Sequence, residues 1–102
     1  MAAARNLPNL TVIDFSANSI RDEGMKALAA AAINLSELRE INLSCSDIGD
    51  EGVKALAAIG VNFPKLTTLL LWSNFITYEG VKALAAAAVN FPQLKVINLR
   101  EN

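Results

Sequence analysis

Leu66-Thr67-Thr68-Leu69-Leu70-Leu71-Trp72-Ser73-Asn74-Phe75-Ile76 decides the fold. Its core residues Leu69 and Leu71 alternate with period two, as a half-buried strand requires. The same pair recurs as Ile13/Phe15, Ile41/Leu43 and Ile97/Leu99. The stretch then changes period. Glu79-Gly80-Val81-Lys82-Ala83-Leu84-Ala85-Ala86-Ala87-Ala88-Val89-Asn90 is rich in strong helix formers. Gly80, Leu84, Ala87 and Ala88 fall on one helical face, at i, i+4, i+7 and i+8.

Strand half plus helix half is a unit, and the unit repeats. Glu-Gly recurs at Glu23, Glu51 and Glu79, and Lys-Ala-Leu-Ala at Lys26, Lys54 and Lys82, each time 28 residues on. The units run 7–34, 35–62 and 63–90, followed by a partial unit 91–102, all within one domain, 1–102, which is expected to be a fragment of a longer solenoid. Strands are predicted near 12–16, 40–44, 68–72 and 96–100, and helices near 22–33, 50–61 and 78–89. Asp22 and Asp50 stand where a helix N-cap belongs, and Thr77 takes that task in the third unit, where Tyr78 replaces the aspartate. Asn34, Asn62 and Asn90 are placed to end the helices in the left-handed conformation, with Pro64 and Pro92 blocking continuation. A single unit cannot bury its apolar face alone. Side-by-side stacking gives a curved α/β solenoid, with parallel strands on the concave face and helices on the convex face, in about three and a half repeats.

The pattern Leu66-x-x-Leu69-x-Leu71-x-x-Asn74-x-Ile76, with Glu79-Gly80 and Leu84 after it, resembles the ribonuclease-inhibitor-like class of leucine-rich repeats. It recurs at Leu10/Ile13/Phe15/Asn18/Ile20 and at Leu94/Ile97/Leu99/Asn102. The resemblance implies protein binding with no shared enzymatic activity. It also implies a hydrogen-bonded ladder of Asn side chains on loop backbone, here Asn18, Ser46, Asn74 and Asn102. Ser46 departs from the pattern, and its shorter hydroxyl is expected to make fewer bonds.

Composition narrows the chemistry. The chain has 102 residues, a formal net charge of −1 and a pI near 5.3. Its lysines come singly, at 26, 54, 65, 82 and 95, so no basic stripe marks it for nucleic acid. No apolar run approaches the ~18 residues that span a membrane. With no histidine, a serine or cysteine nucleophile lacks its usual base. The lone Cys45 has no cysteine or histidine to share a zinc with. No phosphate loop or dinucleotide fingerprint is present, so no cofactor is expected. Asp22-Glu23 and Asp50-Glu51 read as helix capping and dipole compensation. One cysteine and no signal-peptide pattern point to a reducing, cytoplasmic setting. The glycosylation sequons at Asn9, Asn34 and Asn42 read as incidental.

The helix halves are nearly alike, while the outward positions of the strand halves vary. The concave columns are Val12/Glu40/Thr68/Val96, Asp14/Asn42/Leu70/Asn98, Ser16/Ser44/Trp72/Arg100 and Ala17/Cys45/Ser73/Glu101. In the third unit Leu70, Trp72, Phe75 and Tyr78 stand where the first two units carry Asp, Asn or Ser. An exposed aromatic cluster marks an interaction surface, so Leu70, Trp72, Phe75, Tyr78 and Arg100 are the expected site for a protein partner. Ser44 and Ser73 are small enough to leave the Trp72 ring accessible, whereas Phe75 could instead fold inward over the sheet end. The expected function is a non-catalytic interaction scaffold working through its concave face. Two alternatives stand beside it: a structural or engineered repeat fragment that self-associates, and the recognition part of a larger enzyme or regulatory protein. The residues at both ends lack the polar capping units of solenoids, so self-association through the ends is expected, head-to-tail or by paired edges.

Overall fold

A computed structural model describes residues 10–31 and 35–102. The elements alternate strictly: β1 (Val12–Asp14), α1 (Arg21–Ala31), β2 (Glu40–Asn42), α2 (Asp50–Ala58), β3 (Thr68–Leu70), α3 (Tyr78–Ala87) and β4 (Val96–Asn98). Short 3-10 turns at Gly60–Asn62 and Ala88–Asn90 follow α2 and α3. The four strands form one parallel sheet in chain order, and every pairing joins residues 28 apart, such as Ile13 with Ile41 and Ile41 with Leu69. The solenoid expected from the repeat is therefore present. Ile41, Leu43, Leu69 and Leu71 point into the core and are essentially inaccessible, together with Leu38, Leu66, Val53, Leu56 and Phe63.

Regular strand covers only three residues of each expected five. The parallel hydrogen bonding nonetheless continues, from Phe15 N to Asn42 O and from Ala17 N to Ser44 O, at 2.9 Å each. It stops where the chain turns at Ala17, Cys45, Ser73 and Glu101, all left-handed with φ between 55 and 60°. That conformation costs an L-residue about 1–2 kcal/mol, yet no glycine occupies the column.

The helix ends differ from expectation in two ways. Asn62 and Asn90 are not left-handed. The backbone tightens into the 3-10 turns instead, where Phe63 N reaches Gly60 O at 2.9 Å and Phe91 N reaches Ala88 O at 3.0 Å. This satisfies the terminal carbonyls without any special residue. Ala88 is exposed, while Gly80, Leu84 and Ala87 of its expected face are buried. Asn34, Asn9 and the N-terminal stretch lie outside the described residues.

The second difference concerns the aspartates. Asp22 and Asp50 lie within the first turn of their own helices and cap the next ones. Asp22 Oδ1 accepts from Gly49 N at 2.8 Å and Gly52 N at 3.0 Å, at the start of α2. Asp50 Oδ1 accepts from Thr77 N at 2.8 Å and Gly80 N at 3.0 Å, at the start of α3, and Asp50 Oδ2 accepts from the Thr77 hydroxyl. Thr77 is the N-cap of α3, as expected, and accepts from Glu79 N at 3.4 Å. Each aspartate thus fastens one repeat to the next, with its charge at the positive end of the following helix.

This fastening explains the repeated Glu-Gly. A Cβ on Gly52 would lie 2.6 Å from Asp22 Oδ1 and 2.8 Å from Ile48 Cγ2, and a Cβ on Gly80 would crowd Asp50 and Ile76 in the same way. Gly60 breaks the alanine pattern of the helix tail for a similar reason: the Phe91 ring occupies the space its Cβ would need, 2.6 Å away.

Gly52→Ala should therefore destabilise the fold by about 1–3 kcal/mol through overpacking, although alanine is the better helix former by about 1 kcal/mol. Urea denaturation would read this, and a stabilised variant would remove the packing account. A second expectation follows from Asp50. Its hydrogen bonds with the Thr77 side chain and backbone hold its carboxyl below the usual carboxylate range, against a small opposing effect of desolvation. A depressed folded value means that the stabilisation is complete above the unfolded carboxyl value and is lost as pH falls through the folded one. Asp50→Asn keeps an acceptor oxygen but loses the titration. The gap in urea midpoint between the two proteins should be constant above pH ~5 and close below pH ~4. A gap unchanged down to pH ~2 would contradict this.

Candidate functional site

The concave face is held up from behind by buried polar side chains. Asn74 is 6% exposed. Its Oδ1 accepts from Ser46 N at 2.9 Å and Ile48 N at 3.0 Å in the preceding unit. Its Nδ2 donates to Leu43 O and to Leu71 O, both at 3.0 Å. Asn102 repeats the arrangement one unit on, accepting from Ile76 N at 3.0 Å and donating to Leu71 O at 2.9 Å and Leu99 O at 3.0 Å. Ser46 only donates, its one hydroxyl hydrogen shared between Phe15 O and Ser44 O at 3.1 Å each, and accepts from no amide of the first unit among the described residues. Asn18 is exposed and bonds locally to Ser16 O at 3.0 Å.

A feature the sequence reading missed organises the concave surface. Asp14 Oδ1 accepts from Ser16 N at 3.0 Å, Asn42 Oδ1 from Ser44 N at 3.1 Å, and Asn98 Oδ1 from Arg100 N at 3.0 Å. Each is a local turn made by an Asp or Asn two residues before the bonded amide. In the first unit the Ser16 hydroxyl adds a bond at 2.6 Å, and this pair of bonds holds the Asp14 carboxyl below its usual value. The signal was present as an Asp or Asn in three of the four units of one column. The third unit carries Leu70 there, which offers Trp72 N no acceptor.

Trp72 follows Leu70 on the same face and is 38% exposed. Beside it Ser44 is wholly buried, its Oγ without a hydrogen-bond partner. Ser44 therefore does not lie open next to the ring, as its small size suggested. On the other side a shallow groove is lined by Trp72, Asn98, Arg100 and Glu101. The structure thus brings Trp72 and Arg100 together across one groove.

Phe75 and Tyr78 lie outside that groove, at 67% and 65% exposure. Phe75 points outward and does not seal the sheet. Its place in the loop is left-handed in the other units, at Ser19 and Asp47, a conformation unfavourable for a bulky side chain. Phe75 instead pairs in extended form with Gly49, its N–H donating to Ile48 O at 2.8 Å. Tyr78 has Lys82 Nζ over its ring, 5.5 Å from the centroid, a geometry that favours cation–π attraction. Cys45 is half-buried at a left-handed turn. Among the described residues no group of three or more His, Cys, Asp or Glu is placed to hold a metal ion, and no helix is long and apolar enough to cross a membrane.

The family described as Leucine Rich repeat matches residues 6–29, 34–57 and 64–85. The chain belongs to the leucine-rich-repeat family. Two solved structures share its fold. One is the actin-binding site 2 of leiomodin-1, with a TM-score of 0.86 and 21% identity over 97% of this chain and 58% of that one. The other is the C-terminal domain of tropomodulin from Caenorhabditis elegans, with a TM-score of 0.79 and 19% identity over 95% of this chain and 62% of that one. The chain thus spans less than two-thirds of either leucine-rich-repeat structure. No curated sequence matches it. Leucine-rich repeats of this class present a concave sheet as a binding surface and carry no shared catalytic apparatus.

The Asn side chains make different demands on stability. Asn74→Ala would leave buried amides and carbonyls of two units unpaired and should cost about 3–5 kcal/mol in chemical denaturation. Ser46→Ala removes only donated bonds and should cost about 1 kcal/mol. Equal losses at the two positions would show that Asn74 does not tie the units together.

Proposed function

We propose that the chain is a protein-interaction module that binds its partner through the concave face of the third unit, centred on Leu70 and Trp72, with Arg100 across the groove and Phe75 and Tyr78 on the rim. The carrying observation is the loss of the local polar turn at Leu70. The first, second and fourth units keep an Asp or Asn that bonds the strand-end amide, and the third gives up that bond for two apolar side chains side by side on a solvent-facing sheet. The exchange is unfavourable for the free fold on both counts, because it removes an amide's acceptor and exposes apolar surface. Its benefit is to a partner. Trp, Tyr and Arg are the side chains that most often carry binding energy. Leiomodin-1, whose matching region is described as an actin-binding site, makes actin the first protein to test. The single half-buried thiol fits a reducing, intracellular setting.

Two substitutions separate this reading from drift of a solvent-facing surface. Binders would be selected from a displayed peptide library, with actin assayed in parallel. Trp72→Ala should weaken the selected binders by about 2 kcal/mol or more, and Asp14→Ala by less than about 0.5 kcal/mol. Leu70→Asn restores the local turn, so it should weaken binding while leaving stability within about 0.5 kcal/mol of the parent or above it. Binders indifferent to both Trp72→Ala and Leu70→Asn would refute the site.

A further inference from the structure

The Ser44 hydroxyl is the one buried side-chain polar group without a hydrogen-bond partner among the described residues. A buried hydroxyl left unpaired works against folding, and alanine would fill nearly the same space without that cost. Its equivalent in the first unit, Ser16, is satisfied by Asp14 Oδ1 at 2.6 Å. In the second unit Asn42 Oδ1 takes the Ser44 amide at 3.1 Å and leaves the hydroxyl alone. The fold of the second unit therefore gives no reason for a serine here.

The register points to what seals the hydroxyl. Asn42 pairs with Leu70, and Cys45 N donates to Trp72 O at 3.0 Å, so Ser44 and Trp72 are neighbours in one concave column. The neighbour on the other side is Ser16, a small residue already bonded to Asp14. Trp72 has the largest side chain beside Ser44 and is itself covered over most of its surface, at 38% exposure. It is also the least fastened member of its column. The amides of Ser16, Ser44 and Arg100 each bond an Asp or Asn two residues back, whereas Leu70 offers Trp72 no such acceptor. The shallow groove lined by Asn98, Arg100 and Glu101 lies on its far side.

We infer that the Trp72 indole lies over Ser44 in the free chain and swings into that groove when a peptide segment binds, so that the uncovered Ser44 hydroxyl donates to a backbone carbonyl of the peptide. The inference rests on the concave site proposed above and adds to it a polar contact from the second unit. A neutral carbonyl is the fitting acceptor. The charged concave residues on the Ser44 side of Trp72 are Asp14 and Glu40, both acidic, and they repel a carboxylate. Leu70 and the turned indole supply the apolar contact around the bond, and excluding water there strengthens it.

The test uses a peptide selected from a displayed library on the parent chain. Nuclear Overhauser contacts between the Trp72 indole protons and the Ser44 β-protons should be present in the free chain and absent from the peptide complex. Ser44→Ala should weaken the peptide about fivefold, the effect of one neutral hydrogen bond, while its urea midpoint equals or exceeds that of the parent. Contacts missing from the free chain, contacts that persist in the complex, or a peptide that needs Trp72 but tolerates Ser44→Ala would each overturn the inference and leave the concave site standing. A lowered urea midpoint for Ser44→Ala would assign the hydroxyl to the fold and overturn it as well. A peptide indifferent to Trp72→Ala would remove the site itself, and this inference with it.

Discussion

Short polar side chains that bond backbone one repeat away hold this structure in register. Asn74 is the clearest case, because one amide group satisfies two N–H groups of the second unit and a carbonyl on each side of the joint. The loops it supports turn away from the sheet, and backbone pairing between them thins to single bonds such as Phe75 N to Ile48 O at 2.8 Å. Buried and unpaired, their backbone groups would cost about 1–3 kcal/mol each. An asparagine side chain has both a donor and an acceptor at the right reach. The hydroxyl of Ser46 donates but leaves the amides of the first unit to find other partners.

The aspartates perform the same service on the helical side. A carboxylate at the start of one helix reaches the N–H groups at the start of the next, and glycine keeps the approach open. Sheet and helix layers are thereby fixed to a common period of 28 residues, although strands lie about 4.8 Å apart and helices about 10 Å apart. Alanine and glycine in the helices shorten the second distance, and Gly60 under the Phe91 ring shows how little room remains.

The third unit obeys this scaffold behind the sheet and departs from it in front. Asn74 and Leu71 occupy their usual places, while Leu70, Trp72 and Phe75 abandon the polar turn chemistry of their neighbours. Phe75 even changes the loop conformation, from left-handed to extended. A scaffold whose rear is set by hydrogen bonds can tolerate such changes on its open face, which is how a repeat fold carries a particular surface.

The sequence by itself determined the period, the order of strand and helix, the inward residues and the columns of the concave face. These follow from spacing, because alternation at Leu69 and Leu71 and repetition at 28 admit one way of stacking. It also singled out Leu70, Trp72, Phe75, Tyr78 and Arg100 by their difference from the other units. Only the tertiary structure decided which partners those residues have. Asp22 and Asp50 looked like caps of their own helices, but their acceptor atoms serve residues 27 to 30 positions on. Asn62 and Asn90 looked like left-handed terminators, but a 3-10 turn closes those helices and the left-handed residues lie at Cys45 and Ser73 instead. Ser44 looked open and is buried. Periodicity reports which face a side chain takes, whereas the partner of a polar atom depends on where the neighbouring repeat sets its backbone down.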